Sequence, residues 1–278
     1  MDTLAAARRS FGDLVATSVG ATDPRIANAF AKVPRERFLG PGPWLTYVGD
    51  SDEAIATPSA DPVLLYQDRI FALLPEKHLN NGKPSFHARC LCAIAPQPGE
   101  RVLQVGAGGG YYTAILAELV GPGGRVAARE VEPAMISAAT RNLAGYANIE
   151  VVGRSGIEPP LPESDVIYAF TGATRVMSAW LDALADRGRL IFPLTPHRDR
   201  GGMLMVTRRG EKFAARIVCR VWCMPCVGGQ DPAEADALRA AFERGGEGNV
   251  KSLRRAPAEP DETCWLAGDG WWLSTAEA

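Results

Sequence analysis

The run Val102-Leu103-Gln104-Val105-Gly106-Ala107-Gly108-Gly109-Gly110-Tyr111 constrains this chain more than any other stretch. A short apolar segment opens into a turn with four glycines in five positions, and Tyr111 to Val120 then has the composition of a buried helix. Glycine takes positive φ without a Cβ penalty and lets backbone come close to a ligand. A strand that ends in such a turn and continues as a helix is therefore the opening of a βαβ unit.

The alternation persists downstream. After the strand Arg101 to Val105 and the helix Tyr111 to Val120, the pattern predicts strands at Arg125 to Arg129, Ile149 to Val152, Asp165 to Phe170 and Arg189 to Phe192. Helices are predicted at Pro133 to Leu143 and Thr174 to Asp186. Strands separated by helices of this length cannot close as hairpins, so the fold class is α/β, a doubly wound, mostly parallel, Rossmann-like sheet. Met203 to Arg208 and Lys212 to Cys223, joined only by Arg209-Gly210-Glu211, add an antiparallel edge hairpin.

Upstream, helices are expected at Asp2 to Ser18 and, capped by Asp23-Pro24 and ended by Pro34, through Lys32. The proline-rich stretch Leu39 to Pro62 reads as a loop, and Ser85 to Ala95 as a helix. The tail holds a helix at Pro232 to Arg244 and an aromatic end, Trp265, Trp271 and Trp272, expected to dock on the surface. The organisation read from these shifts is an N-terminal helical cover over 1–78, a core over 79–227 and a C-terminal extension over 228–278.

A formal net charge of -2 offers no basic excess for nucleic acid or an anionic membrane. Apolar runs are too short to span a bilayer and the N-terminus lacks a signal-type apolar core, so the expected compartment is the cytoplasm. Of the six cysteines, Cys223 and Cys226 have zinc-knuckle spacing, but no second pair follows and the nearest histidine in sequence is His197, so no metal is expected.

Three ligand classes compete for the glycine turn. A nicotinamide dinucleotide asks for G-x-G-x-x-G, and Tyr111 stands where the third glycine would pack helix on strand. A P-loop needs Gly-Lys-Ser/Thr after the turn, and none follows. An adenosyl ligand without a pyrophosphate makes fewer demands and fits what remains. Glu130 ends the next strand, where a carboxylate can accept from both ribose hydroxyls. The bland alternative is that the glycines only shape a turn.

Beyond these readings, Asp23-Pro24-Arg25, then Val33-Pro34-Arg35-Glu36-Arg37-Phe38, Tyr66-Gln67-Asp68 and Val102 to Ala114 resemble, in order, the protein-L-isoaspartate O-methyltransferases. Gly153-Arg154-Ser155-Gly156 and Val166 to Pro193 continue the likeness, which covers roughly residues 20 to 225 and leaves the tail unmatched. The resemblance implies a class I methyltransferase with S-adenosylmethionine as donor. Gly106, Gly108 and Gly110 would lie near its methionine part, Glu130 on the ribose, and Gly153, Arg154 and Ser155 along the adenine. Two departures stand out. Arg154 replaces an acid that normally meets the adenine amino group, and Gly82 occupies the place of a serine in the family's acceptor loop.

Methyl transfer from a sulfonium is an in-line displacement, so the protein must mainly align the partners and exclude water. A carboxylate acceptor is already ionised and needs no base. A hydroxyl or amine acceptor would need one, with His78, His87, Asp68 and Glu76 as candidates. The resemblance implies a peptide or protein acceptor, with a small-molecule acid as the alternative, held near Gly82 by Ser85, His87 or Asn80 and Asn81. The missing serine predicts poor methylation of isoaspartyl peptides, the natural acceptor being either different or held by these neighbours instead. A cofactor-binding module without catalysis is the reading from a different class.

Overall fold

The computed structural model describes residues 3–47, 53–196 and 199–278; Asp2 and His197 lie outside them. Along the chain run α1 (Thr3–Ser18), α2 (Pro24–Lys32), α3 (Glu36–Leu39), β1 (Leu45–Tyr47), β2 (Ala54–Ala56), β3 (Ala72–Leu74), β4 (Leu79–Asn80), α4 (Pro84–Ile94) and β5 (Arg101–Val105). Then follow α5 (Tyr111–Val120), β6 (Arg125–Arg129), α6 (Pro133–Leu143), β7 (Ile149–Val152), β8 (Ser164–Ala169), α7 (Ser178–Ala183) and β9 (Leu184–Leu194). The remainder is β10 (Gly201–Arg209), β11 (Lys212–Val221), α8 (Pro232–Arg244), β12 (Ser252–Arg255), β13 (Cys264–Gly268) and β14 (Trp271–Ser274). The chain forms two compact units, one of residues 1–99 and 107–153, the other of 100–106 and 154–278.

In the first unit, α2 starts where its sequence dictates: the Asp23 side chain accepts from Arg25 N at 2.9 Å and Pro24 opens the first turn. It stops at Lys32 because Val33 precedes a proline and is extended. The stretch expected to be loop contains a short antiparallel pair, Leu45↔Ala56 to Tyr47↔Ala54. α5 is buried on nearly every side, and its first turn joins an aromatic cluster with the N-terminal helices. Phe30 meets Tyr111 edge-on at 6.4 Å and Phe38 meets it at 5.6 Å. β6 and β7 pair in parallel, Val126↔Ile149 to Arg129↔Val152.

The second unit carries strands in the order β13-β14-β12-β11-β10-β9-β8-β5. β5–β8 and β8–β9 are parallel, and every pairing from β9 outward is antiparallel. The expected hairpin is β10–β11, closing at Arg209↔Lys212 with Gly210 at φ +62°.

Two local expectations are corrected here. The predicted helix from Thr174 shrinks to α7, because Gly172 and Ala173 form bridges to Pro225 and Leu194 and the backbone of residues 172–174 pairs with distant segments. Gly172 N donates to Met224 O at 2.7 Å, Cys226 N to Gly172 O at 2.7 Å, and Thr174 N to Gly229 O at 3.0 Å. With those backbone groups already partnered, helix has no local advantage. β9 begins at Leu184, earlier than expected, with a register shift where Arg187 has φ +61°.

The aromatic tail is also strand and core, not a patch docked on the surface. β12 pairs with β11 through Phe213↔Leu253, and Trp265, Trp271 and Trp272 are only 6%, 5% and 3% exposed. Among the described residues, no helix is long and apolar enough to cross a membrane.

Candidate active site

The turn after β5 is shaped by its own glycines. Gly106, Gly108 and Gly110 have φ of +80°, +54° and +94°, values that side chains rarely adopt. Gly110 is further required because a Cβ there would lie 2.8 Å from Leu143 Cδ1 on α6. Gly106 belongs to the second unit, where a Cβ would meet nothing nearer than Thr171 at 3.6 Å. The other two glycines lie in the first unit, and Gly109 O there accepts from Asn142 Nδ2 at 2.9 Å.

Glu130 stands at the end of β6 as expected, 9% exposed, but its carboxylate already has backbone partners. Oε2 accepts from Gly108 N at 2.7 Å, while Oε1 accepts from Val131 N at 2.8 Å and Glu132 N at 3.0 Å. Each carboxylate oxygen offers two lone pairs, so Oε1 is saturated and Oε2 keeps one site for a further donor. The donor set suits an adenosyl ligand: the glycines bring no side chain of their own to the turn, although Leu73 and Leu143 pack against Gly108 and Gly110, and Oε2 keeps one acceptor site of the kind a ribose hydroxyl uses.

Arg154 and Ser155 open the second unit's return segment. Arg154 is exposed, and Ser155 Oγ accepts from Ile157 N at 3.3 Å. The next residue fixes the loop: Gly156 O accepts from the buried Trp180 Nε1 at 2.7 Å, and a Cβ at Gly156 would fall 2.5 Å from Val105.

The loop of residues 80–85, expected from the sequence to hold the acceptor, lies in the first unit beside the start of α5. Gly82 has φ +70°, its N donates to Asn80 Oδ1 at 2.9 Å, and its carbonyl accepts from Tyr112 Oη at 3.3 Å. The glycine thus stands in a left-handed conformation that side chains adopt only with strain, a reason the sequence does not display. Asn81 is buried and pairs with the Phe71 backbone, accepting from its N at 2.8 Å and donating its own N to Phe71 O at 3.0 Å. Ser85 N donates to Asp68 Oδ1 at 2.8 Å.

His87 is not placed to act on an acceptor. It is 2% exposed, with its ring flat on Tyr112 at a centroid distance of 3.3 Å and 6° between planes. Burial, reinforced by the charge of Arg35, holds it well below the usual histidine value of 6.5 and therefore neutral. His78 sits at the surface in a left-handed turn, and Glu76 is exposed beside it.

The Val33–Phe38 motif contributes a residue whose role its sequence did not reveal. Arg35 is fully buried, its guanidinium donating to the carbonyls of Leu65, Gln67 (2.8 Å) and Arg69 (2.9 Å). It lies 5.2 Å from the Phe11 and Phe71 ring centres. Glu36 binds Arg8 and the Tyr66 hydroxyl, and burial, with Glu36 adding to it, pushes the Tyr66 phenol up to about 12. Cys223 and Cys226 flank the Met224-Pro225 step that brackets Gly172, and both are buried.

Comparison with known proteins gives the family and the fold. Residues 64–231 match the family model described as protein-L-isoaspartate(D-aspartate) O-methyltransferase (PCMT). The protein-L-isoaspartate O-methyltransferase of Aeropyrum pernix is 36% identical over 180 residues. That match covers 62% of this chain and 61% of the relative, less than two thirds of its length. A solved protein-L-isoaspartate O-methyltransferase superposes with a TM-score of 0.66 over 96% of this chain and 87% of its own, at 20% identity. Another, a beta-aspartate methyltransferase (PCMT) from Plasmodium falciparum in complex with S-adenosyl-L-homocysteine, gives 0.60 over 79% and 98%, at 16% identity. At those identities the structural likeness bears on the fold alone, which is the α/β doubly wound class.

Proposed function

Because this chain belongs to the protein-L-isoaspartate(D-aspartate) O-methyltransferase family, we propose that it is a methyltransferase that takes S-adenosylmethionine as donor and methylates a peptide carboxylate. The donor supplies a methyl group on a positively charged sulfur. The turn from Gly106 to Gly110 holds its methionine part, Glu130 Oε2 takes a ribose hydroxyl, and Gly153 to Ser155 border the adenine. Arg154, exposed and lacking the acid's acceptor oxygens, leaves the adenine amino group to solvent or backbone. The loop of residues 80–85 aligns the acceptor oxygen, which attacks already ionised. A carboxylate acceptor needs no base, and His87, sealed against Tyr112, is out of reach of a hydroxyl or amine that would need one.

The acceptor itself departs from isoaspartate in this reading, and the single observation that carries it is the left-handed Gly82. Where the family's loop presents a serine hydroxyl, this loop turns on a glycine and directs Asn80 to its own backbone. A hydrogen bond to a charged group is worth about 1.5–3 kcal/mol, roughly ten- to a hundredfold in specificity constant. Transfer of labelled methyl onto isoaspartyl and ordinary aspartyl peptides, by the native protein, Gly82→Ser and Gly82→Ala, tests this. Both substitutions pay the same backbone strain, so a gain confined to Gly82→Ser reports the hydroxyl. Robust native turnover of the isoaspartyl peptide, matched by neither variant, would return the protein to ordinary isoaspartate methylation.

A further inference from the structure

Asp68 lies outside the donor cradle, yet it is the side chain that ties the acceptor loop to the rest of the first unit. The segment around it is not free to choose its shape. Arg35 collects the carbonyls of Leu65, Gln67 and Arg69 around one buried guanidinium, so residues 65–69 wrap a fixed centre. Asp68 sits between two of these held carbonyls, and its side chain is partly exposed. Its Oδ1 accepts from Ser85 N at 2.8 Å, and its Oδ2 lies 3.5 Å from Lys83 Nζ.

Ser85 is the second residue of α4, and the helix has no cap of its own: Lys83 occupies the capping position without a side-chain bond. Helix amides at a first turn need an acceptor, and acidic groups there are favoured by the helix dipole. Asp68 supplies one from 17 residues upstream. The segment it stabilises follows directly on Asn80-Asn81-Gly82, and Gly82 is the left-handed residue that replaces the family's serine.

We infer that Asp68 is a positioning residue of methyl transfer: locked by Arg35, it fixes the start of α4 and hence the acceptor loop, without touching the acceptor. The inference rests on residues 80–85 being the acceptor loop, as proposed above. It predicts that acceptor recognition and donor binding respond separately to changes at this position.

The test uses the full chain with Asp68→Ala and Asp68→Asn. Amide hydrogen exchange over residues 79–91, calorimetric affinity for S-adenosylhomocysteine, and KM and kcat with labelled donor for whichever of the isoaspartyl and aspartyl peptides the native protein turns over faster are measured. Asp68→Ala should exchange faster only in this segment and raise KM about tenfold, with S-adenosylhomocysteine affinity within twofold of native. Asp68→Asn, which keeps an oxygen for Ser85 N, should restore most of both losses; this rescue separates positioning from a general need for charge. Unchanged exchange in Asp68→Ala, or no rescue by Asp68→Asn, overturns the role of Asp68. Faster exchange with an unchanged KM overturns instead the assignment of residues 80–85 to the acceptor. Because the wrap is held by Arg35 through main-chain carbonyls, neither substitution removes what folds it, and Asp68→Leu, which also removes the acceptor for Ser85 N, takes the place of Asp68→Ala if that variant is poorly soluble.

Discussion

Glu130 uses three of its four lone-pair sites on backbone, so it serves the glycine turn before it serves any ligand. Glu130→Ala should therefore weaken S-adenosylhomocysteine binding by about 1.5–3 kcal/mol and also lower the melting temperature, because Gly108, Val131 and Glu132 lose an acceptor. Calorimetry alongside a thermal melt checks both, and unaltered affinity would place the ribose elsewhere. His87 gives a pH prediction whose sign follows from its burial. The folded state keeps it neutral while the unfolded chain binds a proton near the usual 6.5, so the unfolded state gains protons as pH falls. Stability should therefore fall as pH drops below about 6.5. Denaturant titrations above and below that pH should show a shallower loss in His87→Phe, which keeps a flat ring against Tyr112.

At the scale of elements, α5 and α6 are locked together by what is missing from the turn between β5 and α5. Gly110 leaves room for Leu143, while Asn142 reaches back to Gly109 O. Gly110→Ala meets both a left-handed φ of +94° and a carbon 2.8 Å away. A cost on the order of 2–4 kcal/mol is expected, the sum of backbone strain and overpacking. The measurement is urea unfolding with donor affinity read in parallel, and a cost below about 0.5 kcal/mol, as at an ordinary surface site, would mean α6 yields freely. The elements read correctly from sequence, β5, α5, β6, α6, β7 and α8, are those whose periodicity and punctuation agree. α7 was misread because Gly172 and Thr174 give their backbone bonds to Met224 and Gly229, partners some fifty residues away that no local pattern announces.

Across the whole molecule, the tail matters more than its composition suggested. Leu253, Trp271, Trp272 and Leu273 are buried strand residues, each worth roughly 1.5–3 kcal/mol of burial. A chain ending at Gly245 should lose cooperative unfolding or fail to accumulate as soluble protein. A melt as sharp and as high as that of the full chain would show the tail to be dispensable. The sequence alone determined the alternating α/β class, the glycine turn with its acid and the family, because these depend on local spacing: a period of 3.6 or 2, a glycine where φ turns positive, a carboxylate one strand further on. Only the tertiary structure decided that Arg35 closes on three carbonyls, that Gly82 is dictated by its backbone, that His87 lies sealed against Tyr112, and that the final tryptophans extend the second unit's sheet. Each of these depends on which distant groups meet, and burial, charge state and hydrogen-bond partners are properties of that meeting rather than of any stretch of sequence.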